Sequence, residues 1–143
     1  MSTILLVEDD SLNQTFVKDL FRYDHLPGEL VCVGSAEEAL RILPSLDPLL
    51  VLMDVMLPGI NGIEATKVIK GDPATSRVPV WAVTARDARS DIDEALAAGC
   101  DGYFTKPLSP KHLAEQLRVF ESEDVLNLVQ QTVGQTHEHD PAD

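Results

Sequence analysis

The sequence predicts an open, doubly wound α/β fold of five strand–helix pairs, (βα)5, around a parallel sheet. Three observations predict it. Short apolar runs alternate with segments of helical periodicity five times along the chain. The first, third and fourth runs ("TILLV", "LLVLM", "VWAVT") are almost unbroken in apolar residues, as expected of strands covered on both faces. Turn and cap residues separate each run from the next helix, and regular alternation of this kind implies a parallel sheet with right-handed crossovers.

The elements follow in order. Thr3 to Val7 is the first strand. Ser11 and Gln14 have the spacing of a capping box, and Phe16, Val17, Leu20 and Phe21 then recur at helical spacing. Pro27-Gly28 breaks the chain before a second strand, Leu30 to Val33. Ser35 and Glu38 suggest another capping box, opening a helix with Ala39, Leu40 and Leu43 on one face, which Pro44 and Pro48 close. Leu49 to Met53 is the third strand. Asn61 to Lys70 reads as a helix carrying Ile63, Thr66, Lys67 and Ile69, stopped at Gly71-Asp72-Pro73. Val80 to Thr84 is the fourth strand. Asp87 to Ala98 is a helix with Ile92, Ala95 and Leu96 inward and Gly99 as its C-terminal cap. Gly102 to Thr105 is the fifth strand. Ser109-Pro110 then opens a last helix with Leu113, Leu117 and Phe120 as its inner stripe.

A chain of 143 residues is long enough for one domain with a proper core. Its net charge of −13 argues against nucleic acid and anionic membrane surfaces as partners. Residues 119–143 hold six of the 24 acids and no Lys or Arg, so the end of the chain is a separate region by composition. We expect a domain over 1–121 and an acidic tail over 122–143. In that tail Val125, Leu128, Val129 and Val133 have helical spacing, whereas His137 and His139 read as solvated rather than metal-binding. Cys32 and Cys100 read as buried, reduced thiols. No secretory leader or membrane span is visible, which makes a cytoplasmic location the expectation.

Asp54 poses the functional question. It follows five apolar residues, at the end of a strand that should be buried, where an unpaired carboxylate is costly. In sheets of this kind ligands bind beyond the carboxyl ends of the strands. Strand one ends in Glu8-Asp9-Asp10, strand three in Asp54, strand four in Thr84 and strand five in Thr105-Lys106-Pro107. If they converge, carboxylates ~4–5 Å apart repel by roughly 3–4 kcal/mol per pair at an effective dielectric of about 20. A hard divalent cation held by Asp9, Asp10, Asp54 and a backbone carbonyl would relieve that, with Lys106 supplying a fixed positive charge. Asp54 would then stay ionised and serve as a nucleophile towards a phosphoryl group, with Thr84 as a hydrogen-bond donor to it. Taken singly, each residue has a plainer use: Asp9 and Asp10 as helix caps, Asp54 as a turn former, Thr84 as a strand end, Lys106 as a solvated surface charge. Their combination on successive strand ends is what carries the chemical reading.

The pieces "LLVEDD" (5–10), "LLVLMDVMLPGING" (49–62), "VPVWAVTA" (78–85) and "AAGCDGYFTKP" (97–107) stand in order, and with them the chain resembles the stand-alone response-regulator receiver domain of two-component phosphorelays. The resemblance covers roughly residues 3–121. It implies a flavodoxin-like sheet with strand order 2-1-3-4-5. By position, Asp54 resembles the phosphoacceptor, Asp9 and Asp10 the acidic pair that binds Mg²⁺ (or Mn²⁺), and Met56 the residue lending a backbone carbonyl to the metal. Thr84 and Lys106 resemble the phosphate-contacting hydroxyl and ammonium, Tyr103 the switch aromatic, and Lys106-Pro107 a peptide bond often cis in the family. The implied activity is transfer of a phosphoryl group from phosphohistidine on a sensor kinase or histidine phosphotransfer protein to Asp54. That transfer reshapes the surface of helix four, strand five and helix five towards a downstream protein. Such a module promotes only its own phosphorylation and dephosphorylation and is not otherwise an enzyme. It acts as a monomer or a phosphorylation-dependent dimer. Met56 and Arg86 occupy positions that tune the phosphoryl lifetime, and Leu12, Gln14 and Leu108 are candidate partner contacts.

Two rival readings remain. A Mg²⁺-dependent phosphohydrolase with an Asp nucleophile would want an Asp-x-Asp motif after strand one, but here the acids are adjacent and Val55-Met56 follows Asp54. A phosphate-independent interaction module with the same fold would not need the full residue set, and the full set is present.

Overall fold

The five apolar runs form five parallel strands in the order β2-β1-β3-β4-β5, as the resemblance implies. The computed structural model describes residues 3–23, 26, 28–85 and 89–120. In order they are β1 (Thr3–Val7), α1 (Ser11–Tyr23), β2 (Glu29–Val33), α2 (Ala36–Leu46), β3 (Leu50–Asp54), α3 (Gly62–Gly71), β4 (Val80–Thr84), α4 (Arg89–Ala97) and β5 (Gly102–Thr105). A fifth helix, α5, runs over 110–120. By their contacts the residues group into two units, Met1–Ser109 and Pro110–Asp143. The first unit holds the whole sheet and helices α1 to α4. Of the second, α5 is described, with Leu113 and Leu117 buried. The tail residues from 121 onward, His25 and Arg86 lie outside the described residues.

The sheet's core follows from its pleat. Leu5, Val7, Val51, Met53, Val80 and Ala82 belong to one buried cluster with Ala36, Ala39 and Leu43 of α2 and Ile63, Ala65 and Ile69 of α3. The alternate residues Ile4, Leu6, Leu50, Leu52, Trp81 and Val83 are buried as well and point to the opposite face. All five residues of β3 and of β4 are buried, which explains their unbroken apolar spelling. Trp81 packs on Phe104, ring centroids 5.1 Å apart.

Helix ends depart from the sequence reading in instructive ways. The capping box expected of Ser11 and Gln14 is absent. Asp10 caps α1 instead: its Oδ1 accepts from Leu12 N at 2.8 Å and its carbonyl from Gln14 N at 3.0 Å. Ser35 does cap α2, accepting from Glu38 N at 3.1 Å. That helix runs through Pro44 and ends at Asp47, a left-handed residue (φ 46°) whose N–H reaches the Leu43 carbonyl. Pro44 lies in the last turn, where one missing N–H bond is tolerated more readily than in the helix middle. α3 carries a reciprocal Asn61–Glu64 capping box that the sequence reading passed over. Gly99, at φ 108°, does terminate α4, its N–H reaching Leu96 O at 3.0 Å. Leu96 faces outward and is half exposed, because this short helix buries Ala95 instead.

Candidate functional site

Strand register decides which side chains meet. Val7 of β1 pairs with Met53 of β3, so the next residues, Glu8 and Asp54, stand level at the carboxyl edge of adjacent parallel strands. Level residues share a face of the sheet. Asp54 pairs with Val83 of β4, which puts Thr84 one step further along, and Thr84 pairs with Thr105 of β5. Lys106 follows directly, its N–H bonded to the Thr84 carbonyl at 2.8 Å. The Lys106-Pro107 peptide bond is cis.

Four groups converge there. Lys106 Nζ donates to Glu8 Oε1 at 2.8 Å and to Asp54 Oδ2 at 3.1 Å. Both carboxylates are almost fully buried, each residue 3% exposed. The other oxygen of each is held by backbone: Met56 N donates to Asp54 Oδ1 at 3.0 Å, and Asp10 N to Glu8 Oε2 at 3.2 Å. Asp9 completes the group, for carboxylate oxygens of Glu8, Asp9 and Asp54 lie within 4.8 Å of one another. Burial pushes the Glu8 carboxyl pKa up; the Lys106 bond opposes this and the Asp54 carboxylate adds to it, leaving it raised. Burial works against the Lys106 ammonium too, but its bonds to Glu8 and Asp54 and their charges outweigh it, and its pKa stands above the ordinary lysine value.

Three carboxylates and one ammonium leave a formal charge of −2, which a divalent cation would cancel. The donors are all hard oxygens, as Mg²⁺ and Mn²⁺ prefer. The residues therefore fit such an ion.

The predicted residues are distributed as follows. Asp9, Asp54 and Lys106 are brought together. Thr84 is buried at the end of β4, beside the strand that carries Asp54. Asp10 is not in the acidic group. It is exposed and occupied in capping α1, and Glu8 stands where the sequence reading put an adjacent Asp pair. The signal for Glu8 was available: it follows the last apolar residue of β1 just as Asp54 follows that of β3. Met56 is exposed and has its backbone beside Asp54. Tyr103 is half-buried against the core. Leu12 is 78% exposed, whereas Leu108 is buried and so offers little surface to a partner. Gln14 is half-buried, and its side-chain amide holds the Glu8 carbonyl at 2.6 Å. Leu108 lines a largely apolar cavity of about 190 Å³ with Phe16, Val17, Val83 and Pro107, next to Glu8, Asp54 and Lys106. Cys100 is buried and Cys32 partly so, and both are free thiols.

Comparison with known proteins agrees with this geometry. A family model described as the response regulator receiver domain matches residues 4–118. The polar-differentiation response regulator DivK of Brucella ovis is 33% identical over 118 residues, spanning 82% of this chain and 94% of that protein. The receiver domain of sensor histidine kinase PA1611 from Pseudomonas aeruginosa PAO1 is 32% identical, with a TM-score of 0.75 over 83% of this chain and 96% of that one; its structure has a magnesium ion coordinated in the active site cleft. The Mn²⁺-bound form of response regulator Rcp1 is 26% identical, with a TM-score of 0.70 over 85% and 93% of the two chains. Among the described residues no helix is long and apolar enough to cross a membrane. A buried aspartate on the central strand, the lysine that holds it and a family match over most of the sequence converge, and the chain belongs to the response regulator receiver domains of two-component signalling.

Proposed function

We propose that Asp54 accepts a phosphoryl group from a phosphohistidine on a sensor kinase or histidine phosphotransfer protein, and that the acyl phosphate switches the protein's affinity for a downstream protein. The observation that carries this reading is the bond from Lys106 to Asp54, which presents a buried carboxylate beside a fixed cation at the sheet edge. An Asp54 oxygen attacks phosphorus, the phosphorus–nitrogen bond of the donor breaks, and the electron pair leaves with the imidazole. Glu8, Asp9 and Asp54, with the Met56 carbonyl, would hold Mg²⁺ or Mn²⁺. Such an ion supplies positive charge that offsets the carboxylates and the incoming phosphoryl oxygens. Lys106 donates to the transferred group and the Thr84 hydroxyl follows it, favouring an inward Tyr103 and a changed α4-β5-α5 surface.

The receiver domain extends over 1–121 in this reading, with 122–143 as an acidic appendage, and the protein works in the cytoplasm without nucleic acid or membrane partners. It is a monomer, or a dimer once phosphorylated. Leu12, an exposed apolar residue in the first turn of α1, is the partner contact we favour. Gln14 orders the acidic loop. The phosphohydrolase alternative has no second acid after Asp54 to serve as a proton donor.

Intact-mass analysis after incubation with acetyl phosphate and Mg²⁺ tests the chemistry. One phosphate adduct is expected on the native protein and none on Asp54→Asn; an adduct of equal yield on the variant would refute the assignment. The choice of acidic ligands has its own test. Glu8→Gln should weaken Mg²⁺ binding about tenfold or more, the usual scale for losing a group that shapes a metal site. Asp10→Asn should change it by less than about threefold, since the residue is exposed and salt-screened. Asn also caps a helix as well as Asp, so that variant should fold normally. Calorimetric titration that found the two variants equally impaired would restore Asp10 to the site.

A further inference from the structure

We propose that Glu37 is a positioning residue for the loop between β3 and α3, and that it thereby sets the affinity of the acidic site for its divalent cation. This rests on the function proposed above. The loop runs from Val55 to Asn61 and is fastened at both ends. Met56 N donates to Asp54 Oδ1 at 3.0 Å at one end. At the other, Asn61 caps α3 and Gly62 N bonds to the Val55 carbonyl at 3.0 Å. Between them Leu57 is buried, but Pro58 and Gly59 are exposed. Glu37 reaches this turn from the first turn of α2, 23 residues away in sequence, and its Oε2 accepts from Ile60 N at 3.2 Å. Among the described residues, this is the hydrogen bond that ties the 58–60 turn to another element.

Gly59 shows how closely the carboxylate sits. Its φ is 72°, and a Cβ there would stand 2.8 Å from Glu37 Oε2. An acid in the first turn of a helix is usually explained by the helix dipole alone. That explanation accounts neither for the reach to Ile60 nor for the close approach at Gly59. A hydrogen bond to the Ile60 N–H orders the loop before any ion arrives. The same loop carries the Met56 backbone that holds Asp54 Oδ1. Loosening the turn therefore makes the donor set pay an ordering cost on each binding event.

Two variants separate positioning from charge. Glu37→Gln keeps an acceptor for Ile60 N and loses the charge; Glu37→Ala loses both. We expect Glu37→Ala to weaken Mg²⁺ binding by about 3- to 10-fold, below the roughly 10- to 100-fold typical of residues bonded directly to metal ligands, because Glu37 acts through the loop. Glu37→Gln should stay within about twofold of the native protein. In the metal-free protein, amide exchange at Ile60 should speed up several-fold in Glu37→Ala and not in Glu37→Gln. Equal weakening in both variants would mean that charge alone matters and would overturn the proposal, as would native affinity and native Ile60 exchange in Glu37→Ala. Failure of the underlying function looks different: no phosphate adduct forms on the native protein, whatever residue 37 is.

Discussion

Lys106→Met is expected to destabilise the metal-free protein by about 2–3 kcal/mol at neutral pH. Removing one partner of a buried ion pair typically costs about 3–5 kcal/mol, because it strands the remaining charge. Here two carboxylates are stranded, but the Lys106 side chain is 22% exposed, so water screens part of the effect and the lower figure applies. The loss should depend on pH with a definite sign. The Glu8 pKa in the folded protein is already raised, so the protonated carboxyl favours the fold and that contribution fades as pH rises through the folded value. Lys106 restrains this shift, and without it the Glu8 pKa climbs further. The deficit of the variant should therefore be smaller at pH 5 than at pH 7.5. Added Mg²⁺ should recover part of it by supplying the missing positive charge. Urea denaturation at the two pH values decides the matter; a deficit independent of both pH and Mg²⁺ would mean that the lysine serves packing rather than charge balance.

Gly62→Ala is expected to have a comparable effect for a steric reason. A Cβ at this first residue of α3 would run into the Asp54 carbonyl and lie 2.8 Å from Val55 Cα, both backbone atoms that cannot turn away. Alanine normally gains about 1 kcal/mol over glycine in a helix, yet forced overpacking costs roughly 1–3 kcal/mol and occasionally more. The clash should win by up to about 2 kcal/mol. Because it bears on Asp54 itself, the rate of phosphate incorporation should fall with stability. Gly71→Ala is the control, at the far end of the same helix. No atom lies within 4 Å of a Cβ there, so a gain of about 0.5–1 kcal/mol is expected. Thermal melts of the two variants should move in opposite directions, and a Gly62→Ala melt at or above the native one would contradict the close approach.

Much of this architecture was legible in the residues because burial on both faces leaves an unmistakable spelling. β1, β3 and β4 were readable as apolar runs to within a residue. Asp54 and Lys106 stood out because each interrupts or follows such a run. Glu8 did not, since an adjacent Asp-Asp pair looks like the stronger motif, although Glu8 follows the last apolar residue of β1 just as Asp54 follows that of β3; register then puts Glu8, and not Asp10, level with Asp54. Capping was the plainer use open to Asp10, and it outweighs metal binding only once the start of α1 is known. Pro44 misled because a helix can absorb one proline in its final turn. Leu96 misled because periodicity says which residues share a face but not how wide the buried part of a nine-residue helix will be. The Glu37 bond to Ile60 joins elements 23 residues apart and leaves no local pattern at all.

The seat of Asp54 on β3, with strands bonded on either side, also says where movement cannot originate. Core strands generally open last, so the aspartate proposed to receive the signal stands on one of the elements expected to resist opening most. A message arriving there cannot spread by loosening its own foundation. It has to be handed outward to side chains and loops at the rim, with the sheet acting as the fixed bench against which they are pushed.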